Sequence, residues 1–180
     1  FPQPGWSQQN PEDWRKAVLE GIPELLQGFD GKNVAGIGCG GQMHGLVILD
    51  EADRVIRPAI LWNDGRTDKE TDYLNSIIGK QKLSDLTANI AFAGFTAPKL
   101  LWLKNNEPEL FSKIRYIFFE KDYLRFYLTG VFCTDYIEAE GSMLFDYNNQ
   151  CWSKELCDIL EIDTGLLPKV VNPTDIVGEI

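Results

Sequence analysis

The sequence predicts an α/β or mixed layered fold, on three observations. Short apolar runs of strand character alternate with longer segments of helical period. Gly, Pro, Asn and Asp punctuate the joins between them. Apolar residues make up 44% of the 180, with ten Phe, six Tyr and five Trp, enough for a sizeable core in one domain or in most of a larger one.

The elements follow in order. "NPEDWRKAVLEGIPELL" opens a helix, with Asn10 as N-cap, Pro11 at the first helical position, and Glu12 and Asp13 at the positive helix end. "KNVAGIGCG" reads as a short buried strand running into glycines. "LVILDEADRVI" reads as two short strands joined by a polar turn, and "PAILW" as another strand ending in the loop "NDGR". A helix is expected over residues 67–78, capped by Thr67. "TAPKLLWLKNNEPELFSKI" gives two helices broken at Glu107–Pro108, because proline disfavours helix at the preceding residue. "RYIFF" is a strand, and "KDYLRFYLTG" is a helix closed by Gly130. "GVFCTDY" and "GSMLFDY" are strand pieces, and "SKELCDIL" is the last helix. The tail "PKVVNPTDIVGEI" has two prolines and no helical period, as a connector would.

Charge excludes some functions. With 17 Lys and Arg against 27 Asp and Glu, the net charge is −10, and no basic cluster occurs. Nucleic acid and anionic membrane surfaces are therefore not expected partners. No apolar run reaches the roughly 18 residues of a spanning helix. Cys39, Cys133, Cys151 and Cys157 form no Cys-x-x-Cys, and a single histidine cannot complete a Cys/His zinc site. They read as free thiols in a reducing, cytoplasmic compartment, the alternative being a disulfide between Cys151 and Cys157.

Four groups of residues could carry chemistry. "GGQMHG" places the only histidine, His44, among glycines that permit tight turns and close ligand approach. Gln42 and His44 donate and accept hydrogen bonds, and Met43 offers an adaptable apolar wall, a set suited to a polyhydroxylated ligand. The alternative is a turn whose imidazole is satisfied by backbone. Trp62, Asp64 and Arg66 stand in the loop after a strand, where α/β sheets bind ligands, or else Asp64 and Arg66 form an ion pair that holds the loop. Lys99, beside Leu100, Trp102 and Leu103, reads as a solvated charge. Asp135, Glu138 and Glu140 are a sugar or metal site, or an exposed acidic edge. No Walker-type loop, GxGxxG or HExxH is present.

Taken in sequence, these stretches resemble the FGGY carbohydrate kinases and, within them, the xylulokinases. The resemblance lies in "GGQMHGLVILDEADRVIRPAILWNDGRT", in "GFTAPKLLWLKNN" with Gly94, Thr96, Lys99, Trp102, Asn105 and Asn106, in "KDYLRFYLTG" and "GSMLFD", and in "GWSQQNPEDW" ahead of the first helix. Cys39 and Gly40 stand where the family often has other small residues. Glu138 and Glu140 stand where xylulokinases tend to have Asp or Ala.

The resemblance implies an actin-like ATPase fold: two ribonuclease-H-like domains with the active site in the cleft between them. The implied reaction takes MgATP and D-xylulose to D-xylulose 5-phosphate and ADP. Met43 and His44 match the sugar-contacting pair, with Gln42 a weaker candidate. Trp62, Asp64 and Arg66 match a motif shared across the family, and Lys99 is implied to be a cleft-side or helix-positioning residue rather than a catalytic one. The chain is expected to be most of the first domain, residues 1–180. The phosphate-contacting Asp-x-Gly-Thr-Ser-type turn is expected before Phe1, and the catalytic Asp and the nucleotide domain beyond Ile180. No catalytic or metal-ligating residue is therefore assigned within the chain. Another FGGY kinase acting on a different ketose, sugar acid or polyol is the alternative, as is a non-catalytic sugar-binding homologue. A homodimer is what the resemblance suggests.

Overall fold

The computed structural model describes residues 2–180. The chain begins with a two-residue strand β1 (Gln8–Gln9) and the helix α1 (Pro11–Leu25). Asn10 caps α1 as expected, its side-chain oxygen accepting the Glu12 N–H at 3.3 Å. Strands β2 (Val47–Leu49) and β3 (Ala59–Ile60) follow. A helical stretch comes next: α2 (Asp68–Leu74), a π turn over Asn75–Gly79 and α3 (Lys80–Thr87). Then come α4 (Thr96–Asn106), α5 (Pro108–Phe111), β4 (Tyr116–Phe118) and α6 (Glu120–Thr129). The last part holds β5 (Cys133–Asp135), α7 (Tyr136–Gly141), β6 (Phe145–Asp146), β7 (Cys151–Trp152), α8 (Lys154–Leu160) and β8 (Lys169–Val171).

The strands pair as β1 with β3, β2 with β4 and β6 with β7, all antiparallel, and β5 with β8 in parallel. Leu46 exchanges two backbone hydrogen bonds with Ile60, at 3.0 and 3.2 Å, and so joins the first two pairs. Because successive strand side chains point to opposite faces, this sheet feeds two cores. Leu46, Ile48 and Ile60 pack with Leu100, Leu103 and Leu156. Val47, Leu49, Ala59 and Leu61 pack with Phe118 and Tyr123, under Trp14 of α1. Every residue of α4 from Thr96 to Leu103 is buried, so this helix has no solvent stripe and lies inside the first core. Gly130 closes α6 in the left-handed conformation (φ 70), its N–H reaching Phe126 O at 2.7 Å.

Several expectations are corrected: the tail read as a connector supplies β8, paired with β5; α7 forms between the two stretches read as strand pieces; and the second strand of "LVILDEADRVI" is only a single bridge from Val55 to Leu49. No strand forms at "KNVAGIGCG". Val34 is extended (φ −80, ψ 113), but Val34 and Ile37 are 42% and 51% exposed and the segment has no ladder partner among the described residues. A run with three glycines has little side chain to bury, so without a neighbouring strand it stays irregular. The helix expected over 67–78 runs from Asp68 through its π turn to a break at Gly79 (φ 90, ψ 135), after which α3 continues to Thr87. Thr67 does not cap it by side chain, because its hydroxyl donates to Ala93 O at 2.9 Å instead.

Candidate functional site

His44 sits just ahead of Leu46 and β2, in the left-handed region at φ 64. That region is uncommon for a residue with a Cβ. The backbone is held there by side chains from three helices. Glu138 of α7 accepts the His44 N–H at 2.9 Å. Lys99 of α4 donates to the His44 carbonyl at 2.6 Å, and Thr96 of the same helix donates to it at 3.2 Å. Glu120, the first residue of α6, accepts the Gly45 N–H at 3.1 Å. Two glycines make room for this arrangement. A Cβ on Gly45 would stand 1.6 Å from the Glu120 carboxyl oxygen. A Cβ on Gly141 would stand 2.6 Å from the His44 ring atoms Cε1 and Nδ1.

The imidazole is half-buried, edge-on to Phe95 at 4.7 Å between ring centres. Phe95 in turn meets Phe92 at 5.7 Å. Nδ1 is buried without a hydrogen-bond partner, while Nε2 lies on the side away from Gly141. Burial, and then the charge of Lys99, hold the imidazole below its ordinary pKa, with the Gly141 backbone opposing them. At neutral pH it is an uncharged ring able to donate at one nitrogen and accept at the other. Gln42 is partly buried, and Met43 and Trp62 are about half-exposed, at 48% and 49%.

Lys99 is not the solvated charge expected from its sequence neighbours. It is fully buried, and its amine also donates to Gly94 O at 2.7 Å. An unfilled helix face would have left it in water, but α4 is surrounded, and two carbonyls replace its hydration. Burial, with Arg66 adding to it, pushes Lys99 down to about 7 against the opposing pull of Glu120 and Asp64. Burial likewise pushes the Glu120 carboxyl up to about 8. Glu138 is raised too, again chiefly by burial.

The expectation of an exposed acidic edge is also corrected: Asp135 and Glu138 are buried, and Glu140 is partly so. Asp135 caps α7 through the Glu138 N–H at 3.1 Å and pairs with Lys121 at 2.7 Å. These residues turn inward because α7 packs against β5, β6 and β8. Among the described residues, no group of three or more His, Cys, Asp or Glu side chains is placed to hold a metal ion.

Asp64 and Arg66 form an ion pair with both side chains fully buried. Asp64 takes the Arg66 N–H at 2.9 Å, Nε at 2.8 Å and Nη2 at 2.7 Å, and the Ser7 N–H at 2.5 Å. The guanidinium lies over Trp6 at 3.8 Å. This pair ties the N-terminal segment to the loop after β3 and faces Trp6 and Gln8 rather than His44. Trp62, from the same loop, does approach the histidine side: its carbonyl packs on Gly94, where a Cβ would stand at 2.5 Å. The structure thus links Trp62, Gly94, Lys99 and His44, and leaves Asp64 and Arg66 as the loop's internal brace. A surface depression lined by Arg15, Arg54, Arg57 and their neighbours includes none of the candidate site residues.

Comparison with known proteins agrees with this architecture. The profile of the FGGY family of carbohydrate kinases, N-terminal domain, matches residues 1–180. The chain belongs to the FGGY carbohydrate kinases. This FGGY chain is 43% identical to a xylulose kinase of Lactococcus lactis, over 98% of its own length and 36% of that protein's. It superposes on the solved structure of a "xyloylose kinase" from Brucella ovis with a TM-score of 0.93 at 39% identity, covering 99% of this chain and 37% of that one. A gluconate kinase from Lactobacillus acidophilus gives a TM-score of 0.93 at 31% identity, covering 99% and 36%. The chain therefore spans little more than a third of the length of these relatives. Its α/β fold is that of the actin-like sugar kinases, as the resemblance implied.

Glu120 was not singled out from the sequence. An acidic residue before "KDYLRF" reads only as favourable charge at a helix start. Nothing local marks a carboxyl that reaches Gly45, 75 positions away.

Proposed function

We propose that this chain is the sugar-contacting part of a kinase that transfers a phosphoryl group from MgATP to D-xylulose, giving D-xylulose 5-phosphate. The observation that carries the reading is the Gln42-Met43-His44-Gly45 loop. It offers a neutral, half-exposed imidazole next to the exposed Met43 thioether, on a backbone fixed by three helices. Relatives named xylulose kinase, at 36–43% identity over nearly the whole chain, support D-xylulose as the sugar.

In this reading, His44 exchanges a hydrogen bond with a sugar hydroxyl, and Met43 and Trp62 pack against its carbons. Gln42 adds a second polar contact. Lys99 acts through the His44 backbone, and Asp64 with Arg66 holds the loop. Phosphoryl transfer depends on placing the hydroxyl in line with the γ-phosphate and on a carboxylate to take its proton. That base, the nucleotide and its Mg ion belong to the rest of the protein, outside residues 1–180, and closure of a second domain would exclude water. The enzyme works in the cytoplasm, and a homodimer fits the same reading.

The test is ADP release by the full-length protein with MgATP and a panel of ketopentoses, ketohexoses, gluconate and glycerol. Turnover with D-xylulose well above the others is expected. The gluconate kinase neighbour favours one second reading, a family member acting on a sugar acid. Preferred turnover of gluconate would establish it. Absence of turnover with every compound would point instead to a non-catalytic sugar-binding protein.

A further inference from the structure

We propose that Glu138, together with Glu120 and Lys99, is a positioning residue for the sugar, setting the backbone of His44 so that its imidazole meets the substrate in one orientation. The proposal rests on the reading of His44 as a sugar contact.

The polar backbone atoms of His44 and the N–H of Gly45 are held by ionisable side chains rather than by a neighbouring strand. Glu138 takes the His44 N–H, Lys99 the His44 carbonyl and Glu120 the Gly45 N–H, from positions 94, 55 and 75 residues away. These three side chains are buried, at 6%, 0% and 4% exposure. Burying a carboxylate or an amine is costly unless its partners are well placed. A turn on the way into a strand can satisfy its backbone more cheaply with water or backbone groups. What these side chains add is direction. They lock a non-glycine residue at φ 64, where relaxation toward the ordinary right-handed or extended regions would swing the imidazole off Gly141 and Phe95. A displacement of about 1 Å at a substrate contact is enough to cost binding and rate.

Glu138 is the member that can be altered with least damage. Its own backbone N–H is capped by Asp135, so α7 keeps its start without the Glu138 side chain. The Lys99 contacts to His44 O and Gly94 O are also untouched.

The experiment is steady-state kinetics of the full-length enzyme with D-xylulose and ATP varied in turn, on Glu138→Ala, Glu138→Gln and His44→Ala. Glu138→Ala is expected to raise the sugar KM about tenfold, the scale of one lost hydrogen bond to a charged group, with the ATP KM unchanged. Glu138→Gln keeps an acceptor for the His44 N–H and is expected to return the sugar KM to within about twofold of the parent. The proposal is overturned if Glu138→Ala leaves the sugar KM unchanged, if it raises both KM values alike, or if Glu138→Gln is as impaired as Glu138→Ala. His44→Ala separates the two readings. A raised sugar KM there with none in Glu138→Ala overturns the positioning role alone, whereas an unchanged sugar KM in His44→Ala overturns the sugar contact itself. Should Glu138→Ala fail to fold, Thr96→Val, which removes the 3.2 Å bond to His44 O, decides by the same criterion of a raised sugar KM at constant ATP KM.

Discussion

The amine of Lys99 bridges two backbone carbonyls, His44 O at 2.6 Å and Gly94 O at 2.7 Å, from the first, fully buried turn of α4. It fastens the histidine loop to the turn before α4, and Trp62 packs on the same Gly94. Replacing Lys99 by Met keeps most of the apolar stem of the side chain and removes both bonds. Lys99→Met is expected to lower unfolding free energy by about 3 kcal/mol, because two buried carbonyls lose the amine that bridges them. Urea denaturation of the purified chain measures it, and an unchanged midpoint would show that the amine does not hold the loop.

His44 itself touches little that the core depends on. His44→Ala in the full-length enzyme is expected to weaken D-xylulose binding by about 1–3 kcal/mol, the scale of a buried hydrogen bond. Calorimetric titration with the sugar would read it directly. Unchanged affinity with the fold intact would remove His44 from the site.

Stability should depend on pH through Glu120. Its carboxyl is raised to about 8 in the fold against an ordinary value of 4.5, mainly by burial. The folded state then holds a proton that the unfolded chain has released, so this contribution is complete below pH 4.5 and is lost as pH rises toward 8. Glu120→Gln cannot ionise. Its stability relative to the parent is expected to improve as pH is raised from about 5 to about 8, at no more than about 1.4 kcal/mol per pH unit. Thermal melts of both proteins across that range test this, and a pH-independent difference would contradict it.

The Asp64–Arg66 pair should matter for stability rather than for sugar. Asp64→Ala leaves a guanidinium buried without its carboxylate and is expected to cost about 3–5 kcal/mol. Double substitution of Asp64 and Arg66 by apolar residues should recover part of that loss. Equal damage from the single and double variants would mean that the pair does not act as a unit.

The thiols should separate by burial. All four cysteines are unbonded, with Cys151 exposed, Cys39 partly buried, and Cys133 and Cys157 buried and pushed up in pKa chiefly by burial. A chromogenic disulfide reagent is expected to modify Cys151 first, and Cys133 and Cys157 only on unfolding. Rapid reaction of all four in the native protein would contradict this burial pattern.

Much of the fold was legible in the sequence because its signals are local. Asn10-Pro11 and Gly130 mark helix ends through their own backbone preferences, and both lie where they were expected. The break at Glu107–Pro108 follows from proline's steric demand on the residue before it. The apolar run "LVILD" read as strand, and it supplies one side chain to each core in turn. "KNVAGIGCG" has the apolar character of a strand, but a strand exists only where another lies beside it, and no composition guarantees a neighbour.

The site divides in the same way. The residue types in Gln42-Met43-His44-Gly45 and their glycine setting could be read directly, and so could the family they resemble. The sequence alone determined which chemical groups are present and where several of the helices and strands lie, because those depend on side-chain chemistry and on neighbours within a few positions. Only the tertiary structure decided that Lys99 is buried, that Glu120 and Glu138 hold the histidine backbone, and that Asp64 faces Arg66 and Ser7 rather than an open site. Those contacts join helices and loops far apart in the chain. Whether an ionisable side chain ends in water or against a buried carbonyl is set by what packs around its helix, which no local pattern records.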